Sequence, residues 1–426
     1  MDHNRWLPGS SRGRAHQGIL DRLPDTTVAL LAEGYRWGDR LCRAQGGDAA
    51  RTRLLLRPTV VVRGAEQARR FYGDGMVRAG AAPRRLQRTL FGVGGVQGLD
   101  GEEHGERKAM FLGLLGAGQA DQIAAVVVRR WREQLPFWEQ RRICLRDEVG
   151  LVLTAAVCEW AAVPLAERDV AARWRQLESL IDAGAAVGPR YLRGVRDRRR
   201  LERWLAEVVR QVRTGKRRVP ECSALAVVSH HRGRDGHLLE PRVAAVELLN
   251  VLRPTVAIDR FVVWEAFALH QHPEWRDRMG DDDVVRRFVL EVRRTAPFFP
   301  LVAARAARPI RFGDTTAAAG QRVLLDLFAT DHDAGSWADA EVFNPDRFLG
   351  ADPHAFELVP QGGGDHATGH RCAGEWVTTA VMSAALRLLT QEITYQVPDQ
   401  DLSVDLRRVP ALPASGFLLH DLRRAV

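Results

Sequence analysis

The sequence predicts a mainly α fold, with a large helical domain and small β-sheets. Three segments repeat apolar residues at intervals of three and four, which is the spacing of an amphipathic helix: "DQIAAVVVRRWREQL", "LRDEVGLVLTAAVCEWAA" and "LERWLAEVVRQVR". Strand-like runs are short and lie towards the two ends of the chain. No internal repeat or linker interrupts the 426 residues, so we expect a single domain over residues 1–426.

The N-terminal part combines strands and a short helix. "RTRLLLRPTVVVRG" predicts two strands around a turn, at residues 54–56 and 60–62. "AEQARRFYG" then predicts a short helix, and from about residue 121 the helical spacing dominates.

The C-terminal part alternates helix with irregular chain. We expect a long helix from residue 242 to about 272 and another over residues 284–294. "PIRFGDTTAAAGQRVLLDLFATDHD" indicates short strands and turns, and a glycine-rich loop follows "FNPDRF". "EWVTTAVMSAALRLLTQEI" predicts a helix directly after that loop, and the tail reads as strands and turns.

The composition limits the classes of partner. The formal net charge is +9, which could attract an acidic partner or nucleic acid. No recognition motif with interleaved aromatic residues accompanies the charge. We therefore expect a solvated basic surface and no nucleic-acid partner.

Cysteine usage and hydropathy predict a cytoplasmic protein. The five cysteines are scattered and form no CxxC pair, which favours a reducing compartment over a disulfide framework. The N-terminal "MDHNRWLPGSSRGR" has no apolar core of a secretory signal. No run approaches the roughly 18 apolar residues of a membrane span, so we expect no membrane partner.

The loop "PQGGGDHATGHRCAG", residues 360–374, admits several kinds of site. A phosphate loop is disfavoured because no lysine follows the glycines. Zinc could use His366, His370 and Cys372, although the spacing is unusual for a metal site. A thiolate at Cys372, just before a long helix and flanked by His370 and Arg371, would suit a cysteine that ligates haem iron. The plain alternative is a buried structural cysteine in a turn.

Two further motifs give this loop its context. Glu291 and Arg294 form Glu-x-x-Arg on one helix face, and Arg347 follows in "FNPDRF". This order, completed by Cys372 in "GHRCAG", resembles the cytochrome P450 superfamily of haem-thiolate oxygenases. The resemblance covers nearly the whole chain. It implies the cytochrome P450 fold, haem b with Cys372 as axial thiolate, and a buried charge network of Glu291, Arg294 and Arg347.

The chain departs from the usual superfamily pattern at two places. Most members have Phe-Gly-x-Gly ahead of the cysteine, whereas here Asp365 and Thr368 stand where Phe and Gly are expected. The long central helix usually carries an acid–alcohol pair that delivers protons to dioxygen. The comparable segment here, "ELLNVLRPTVAIDRF", has Arg253 and Pro254 instead.

Arg253 and Pro254 can be interpreted from their chemistry. Pro254 lacks an N–H group and clashes with the carbonyl of Asn250, so we expect a helix kink that opens a pocket. Arg253 would place a permanent charge in an apolar cavity, where it requires an anion. A substrate carboxylate could pair with it in bidentate fashion. The alternative partner is an internal acid such as Glu247 or Asp259.

The arginine–proline pair, "FGVGGVQGLDGEEHGERKAMF" and the long glycine loop together resemble the bacterial fatty-acid peroxygenases of the superfamily. The resemblance implies that hydrogen peroxide replaces dioxygen, so a redox partner is not required. It also implies that the carboxylate of a small-molecule acid, held by Arg253, serves as the acid–base group. Hydroxylation would then occur at the α or β carbon.

The same resemblance implies roles for further residues. Gln97 would face the distal side of the haem, where glutamine is typical of hydroxylation and histidine of decarboxylation. The residues implied to reach a haem propionate are His104 and Lys108, with Arg107 as the neighbouring option. The residues implied to line the acyl channel are Phe91, Phe298, Phe299 and Leu301.

Three other functions remain open from the sequence. One is oxidative decarboxylation to a terminal alkene. A second is a conventional monooxygenase that needs a redox partner, which the missing acid–alcohol pair disfavours. The third is a haem-binding sensor or carrier without turnover, for which a buried anion anchor would have no use.

Overall fold

The structure is a computed structural model that describes residues 6–7, 25–139 and 141–425. The N-terminal segment "MDHNRWLPGSSRGR" is predicted not to be a secretory signal. Most of it lies outside the described residues. The chain forms two compact units. The first takes its described residues from Met1–Pro83, Leu290–Cys372 and Leu402–Ala414, and the second from Arg84–Val289, Ala373–Asp401 and Ser415–Val426.

Helices make up most of the second unit, whereas the first unit combines shorter helices with most of the strands, so the chain is mainly α as predicted. In chain order the α-helices of the described residues are α1 (Thr27–Glu33), α2 (Trp37–Ala44), α3 (Ala65–Phe71), α4 (Gly101–Leu115), α5 (Ala117–Trp138), α6 (Leu145–Trp160), α7 (Val170–Asp182), α8 (Pro189–Arg213), α9 (Ala224–His230), α10 (Pro241–Val256), α11 (Asp259–Gln271), α12 (Asp282–Thr295), α13 (Leu327–Asp331) and α14 (Glu375–Arg387). Shorter helical turns lie at Gly34–Arg36, Arg84–Leu86, Gln87–Phe91, Val96–Gly98, Glu167–Asp169, Pro273–Arg278, Pro345–Phe348 and Leu388–Glu392.

The sheets are small. Their strands are β1 (Ala49–Leu54), β2 (Arg57–Val62), β3 (Met76–Val77), β4 (Ile143–Cys144), β5 (Leu301–Ala306), β6 (Ile310–Phe312), β7 (Thr315–Ala317), β8 (Arg322–Asp326), β9 (Ile393–Gln396) and β10 (Leu418–Arg424). The first unit holds a five-stranded sheet in the order β1-β2-β8-β5-β3 and the β6–β7 hairpin, and the second holds β4-β10-β9. Among the named strands of the described residues, only β2 and β8 pair in parallel.

The predicted strand at residues 54–56 is wrong, because β1 ends at Leu54. Leu55 and Leu56 form the two-residue turn between β1 and β2, with φ of 53° and 63°. Turns with two positive φ values match the twist of paired strands, which is why this geometry occurs even with leucine. Both leucine side chains are exposed. The apolar run at residues 54–56 therefore predicted a strand at a place where the chain instead turns.

The long helix predicted over residues 242–272 is two helices, α10 and α11, which are separated at Ala257 and Ile258. Helix α10 runs through Pro254 and ends two residues later. Pro254 cannot donate to the carbonyl of Asn250, which weakens the last turn. The amide of Ile258 then bonds the carbonyl of Thr255 at 3.2 Å, a tighter i→i+3 bond.

Helix α10 lies in the interior of the second unit. Twelve of its sixteen residues are buried, so it lacks a solvated face. Polar side chains on this helix therefore need partners inside the unit.

A membrane span requires a helix that is both long and apolar. Among the described residues, no single helix combines the necessary length and apolarity, and only the pair α4 and α5, bent by 49°, meets both criteria jointly.

Candidate active site

The glycine-rich loop before Cys372 is packed too closely for side chains. Gly362 and Gly364 have φ of 91° and 87°, a region that favours glycine. A Cβ on Gly363 would lie 2.7 Å from the carbonyl oxygen of Ala355, and one on Gly364 would lie 3.2 Å from the Cβ of Tyr72. The glycines thus let the loop lie directly on its neighbours in the first unit.

The side chain of Gln361 fixes the environment of the Cys372 sulfur. The amide N–H of Cys372 donates to the carbonyl of Gln361 at 3.2 Å, and Nε2 of Gln361 donates to Sγ at 3.9 Å. Arg293 Nη2 donates to Oε1 of Gln361 at 3.1 Å. Because Arg293 occupies the oxygen end of the amide, the nitrogen end is directed at the sulfur. The sequence analysis did not identify Gln361, since a glutamine at the start of a loop carries no signal of such a role.

Residues 365–368 of this loop form a turn of their own. Oδ1 of Asp365 accepts hydrogen bonds from the backbone N–H of Thr368 at 2.6 Å and from its hydroxyl at 2.8 Å. These bonds hold the pKa of the exposed Asp365 below its usual value. His370 follows, half-buried, two residues before Cys372. Within residues 6–7, 25–139 and 141–425, no three His, Cys, Asp or Glu side chains group as a metal site would require, so the zinc alternative has no support.

Glu291, Arg294 and Arg347 form one buried ionic cluster. Arg294 Nε and Nη2 each donate to Glu291 at 2.8 Å, a bidentate pair. Arg347 Nε lies 3.0 Å from Oε2 of the same carboxylate. The side chains of Glu291 and Arg294 are 0% exposed and that of Arg347 is 8% exposed. Arg294 Nη1 also donates to the carbonyls of Asp331 and Ala340 at 2.9 Å. These carbonyls compensate for the second positive charge.

In the second unit, Glu247 on α10 is the centre of another buried network. Its carboxylate accepts from Arg107 Nη1 at 2.6 Å, from the backbone N–H of Val96 at 3.0 Å and from Asn250 Nδ2 at 2.8 Å. Burial raises the pKa of Glu247, while the bonds from Asn250, Arg107 and Val96 act against that shift. Asn250 Nδ2 also donates to Oε1 of Gln97 at 3.2 Å. The structure thus brings Gln97 to the same face of α10 as Asn250.

Arg253 lies one turn beyond Asn250 on α10 and is 9% exposed. The two internal acids considered as its partners are bonded by other arginines. Glu247 pairs with Arg107 at 2.6 Å, and Asp259 pairs with Arg260 at 2.5 Å. The sequence could not foresee these pairings, because Arg107 is 140 residues from Glu247 along the chain.

Three basic side chains lie on one face of α4 with almost no exposure. His104, Arg107 and Lys108 are 5%, 5% and 3% exposed. Spacings of three and four residues place them on adjacent turns. Arg107 is directed to Glu247, and the binding of an acidic group by His104 and Lys108 stays a prediction.

Phe91 is held by a buried arginine. Arg198 on α8 donates to the carbonyl of Leu90 at 3.0 Å and to that of Phe91 at 3.4 Å, and it pairs with Glu202 at 2.7 Å. Gly92 follows with φ of 85°, and a Cβ there would lie 2.1 Å from Arg198 Nη2. Helix α8 therefore fixes the backbone that carries Phe91.

Phe298, Phe299 and Leu301 lie where α12 gives way to β5, and all three are half-buried. Phe299 packs against the core cluster that contains Val60 and Val323, and Leu301 packs against the cluster around Trp37. These two contacts belong to the sheet core, so a part in lining an acyl channel stays a prediction.

Known proteins resemble this chain in sequence and in fold. The family model for cytochrome P450 matches residues 263–420. Cytochrome P450 138 of Mycobacterium tuberculosis is 23% identical over 419 residues, which cover 92% of this chain and 90% of that protein. A solved structure of cytochrome P450SP alpha with (R)-ibuprophen is 42% identical, with a TM-score of 0.91, and the match covers 94% of this chain and 99% of that one.

Two further solved structures are similar over nearly their full length. Cytochrome P450EX alpha with myristic acid is 39% identical, with a TM-score of 0.92, covering 95% of this chain and 98% of that one. A variant of cytochrome P450 OleT with arachidonic acid is 33% identical, with the same TM-score of 0.92 and the same coverage of 95% and 98%. Each of the three solved structures thus contains a bound carboxylic acid.

Proposed function

The chain belongs to the cytochrome P450 family, and we propose that it is a haem-thiolate peroxygenase that uses hydrogen peroxide to hydroxylate a fatty acid or related carboxylic acid at the α or β carbon. Its solved neighbours are fatty-acid peroxygenases of one subgroup, which hydroxylate or decarboxylate fatty acids with hydrogen peroxide. The cofactor is haem with an axial thiolate, and hydrogen peroxide is the co-substrate. We propose that no redox partner is required.

The residues present fit a haem bound through sulfur. Cys372 would supply the thiolate that holds the haem iron, and its sulfur accepts a hydrogen bond from Gln361. Glycines at 362–364 let the loop that leads to Cys372 pack directly on Tyr72 and Ala355. His104 and Lys108 would bind haem propionates. His370, two residues before Cys372, would neutralise an acidic group of the haem. The bound haem supplies the iron centre at which peroxide is cleaved and a C–H bond is oxidised.

Arg253 would hold the substrate carboxylate. The observation that carries this proposal is the position of the Arg253 guanidinium, which is 9% exposed, on an interior helix one turn beyond Asn250. Asn250 and Gln97 cannot take up a proton, and Glu247 is occupied by three donors. A substrate carboxylate bound to Arg253 can accept and return a proton at its own oxygen. The bound acid would thereby replace the missing acid–alcohol pair.

Oxidative decarboxylation to a terminal alkene is the second candidate, because the solved neighbours perform either reaction. Gln97 favours hydroxylation. Its Oε1 accepts a hydrogen bond from Asn250 at 3.2 Å, so the amide is fixed and does not titrate. A histidine at this position would add a proton-transfer group close to the substrate.

The test is turnover by the purified holoprotein with hydrogen peroxide and myristic acid, without NADPH or a reductase. We expect 2- or 3-hydroxymyristic acid in excess over tridecene, as measured by gas chromatography and mass spectrometry. Arg253→Ala should lower kcat/KM by about 100-fold or more, because it removes a charge-assisted bidentate contact to the substrate carboxylate. Arg253→Lys should retain part of the activity, and Arg190→Ala, at an exposed arginine of α8, should match the parent protein.

Two results would contradict the proposal. Product that forms only with NADPH and a reductase would identify a conventional monooxygenase. Full peroxide-driven turnover by Arg253→Ala, with an unchanged haem spectrum, would show that the carboxylate is held elsewhere.

A further inference from the structure

A groove lies along helix α8. It consists of a recess of about 230 Å³ and a wider part of about 670 Å³. Arg199, Glu202 and Arg242 border both parts, so the two are continuous. We call this feature the α8 groove, and all of its lining residues belong to the second unit.

The α8 groove is strongly basic. Its lining includes two glutamates, Glu202 and Glu207, and six arginines: Arg88, Arg198, Arg199, Arg203, Arg210 and Arg242. Both glutamates already have partners. Glu202 pairs with Arg198 at 2.7 Å and with Arg242 at 3.2 Å, and Glu207 pairs with Arg210 at 2.9 Å. The acidic residues of the groove are therefore used by three of the arginines.

The other three arginines of the groove carry positive charge that its two glutamates do not neutralise. Arg88, Arg199 and Arg203 are exposed, and none forms an ion pair with a residue of the described chain. Arg203 Nε instead donates to the carbonyl of Arg199 at 3.2 Å. Positive side chains that line one concave surface raise the local concentration of anions. Guanidinium groups also match phosphate and carboxylate oxygens in bidentate geometry.

We propose that the α8 groove binds a compact polyanion, a small molecule with two or more phosphate or carboxylate groups. Three surplus guanidiniums exceed what a single monoanion can neutralise. The wider part has the volume of a typical small-molecule site. The recess, at about 230 Å³, has room for one charged group, and the buried Arg198 lies in its wall.

Size favours a small ligand over a macromolecule. A protein helix is about 10 Å or more in diameter, so it would cover the wider part but could not enter the recess. The recess wall carries the apolar side chains of Val93 and Val195 beside the arginines. A polyanion would place one terminal charged group in the recess and its other charged groups in the wider part of the groove.

The experiment measures binding of inorganic pyrophosphate and of citrate to the holoprotein by isothermal titration calorimetry at low salt. The test variant is Arg199→Ala with Arg203→Ala. The control variant is Arg190→Ala with Arg193→Ala, at exposed positions of the same helix outside the groove lining. We expect one site per chain, a loss of affinity of about tenfold or more in the test variant, and a change of less than about twofold in the control.

The arms of the experiment separate the possible ligands. Tighter binding of pyrophosphate than of citrate would indicate a phosphorylated ligand, and the reverse a polycarboxylate. Equal losses in both double variants, or binding only of an acidic peptide such as hexaglutamate, would overturn the proposal in favour of a diffuse basic surface or a protein partner. The assay requires no turnover, and Arg253→Ala should bind the same anions, so failure of the peroxygenase proposal would leave this result unaffected.

Discussion

At the scale of single residues, the amide of Gln361 controls the sulfur of Cys372. Arg293 holds the oxygen end of that amide, so the N–H end is directed at Sγ. A hydrogen bond to a thiolate stabilises its negative charge and reduces its donation to a bound metal. The properties of the sulfur therefore depend on a residue eleven positions earlier in the loop.

Gln361→Leu should lower the reduction potential of the bound haem. Loss of one hydrogen bond worth about 1 kcal/mol corresponds to a shift of about 40 mV for a one-electron couple. Spectroelectrochemistry of the purified holoprotein measures this shift. Gln45→Leu, at an exposed glutamine, is the control and should leave the potential unchanged. An unchanged or raised potential in Gln361→Leu would show that the contact does not tune the thiolate.

At the scale of elements, the cluster of Glu291, Arg294 and Arg347 joins α12 to the segment at residues 338–347. Arg294 bonds carbonyls at Asp331 and Ala340, and Arg347 bonds that of Ala338 at 2.7 Å. These backbone acceptors hold irregular chain against the helix. The cluster thus replaces the regular backbone pairing that this segment lacks.

Arg294→Met should destabilise the protein strongly. It leaves the fully buried Glu291 carboxylate with one partner fewer, and breaking a buried pair costs about 3–5 kcal/mol. Urea unfolding followed by circular dichroism measures the loss. The control is Arg311→Met, since Arg311 is 71% exposed and its ion pair with Asp314 is exposed as well. That change should cost less than about 1 kcal/mol. Similar losses in both variants would contradict a special role for the cluster.

At the scale of the whole molecule, buried carboxyl groups make stability depend on pH. Asp326, at the end of β8, is 1% exposed and caps α13 by accepting from the N–H of Ala329 at 2.9 Å. Burial raises the pKa of Asp326 to about 7 from the ordinary 3.8. The folded state therefore binds this proton more tightly than the unfolded state does. Its contribution is complete below pH 4 and is lost as the pH rises towards 7.

Asp326→Asn should flatten the pH dependence of stability. The parent protein should lose up to about 4 kcal/mol between pH 4 and pH 7 through this group, whereas asparagine does not titrate and still accepts the capping bond. Urea unfolding at pH 4.5 and pH 7.5 gives the two free energies. Asp314→Asn, at a fully exposed residue, should keep the pH dependence of the parent protein. An equal dependence in Asp326→Asn would mean that the carboxyl is not protonated in the folded state.

The sequence by itself determined the features that arise between near neighbours in the chain. Periodic apolar spacing predicted helices such as α5 and α6, because one helix face must meet the core wherever that core lies. The Glu291–Arg294 spacing and the position of Cys372 ahead of α14 are local as well, so the family resemblance and the mainly α fold were accessible. The single-domain extent and the cytoplasmic location stay predictions.

Only the tertiary structure decided the pairings between distant segments. Glu247 accepts a hydrogen bond from Arg107, 140 residues away in the chain, and Gln361 accepts one from Arg293, 68 residues away. No local pattern could indicate either contact. The excess charge of the α8 groove likewise depends on which arginines already have acidic partners. A side chain's type is fixed by the sequence, but its protonation and its free hydrogen-bonding capacity depend on neighbours that only folding brings together.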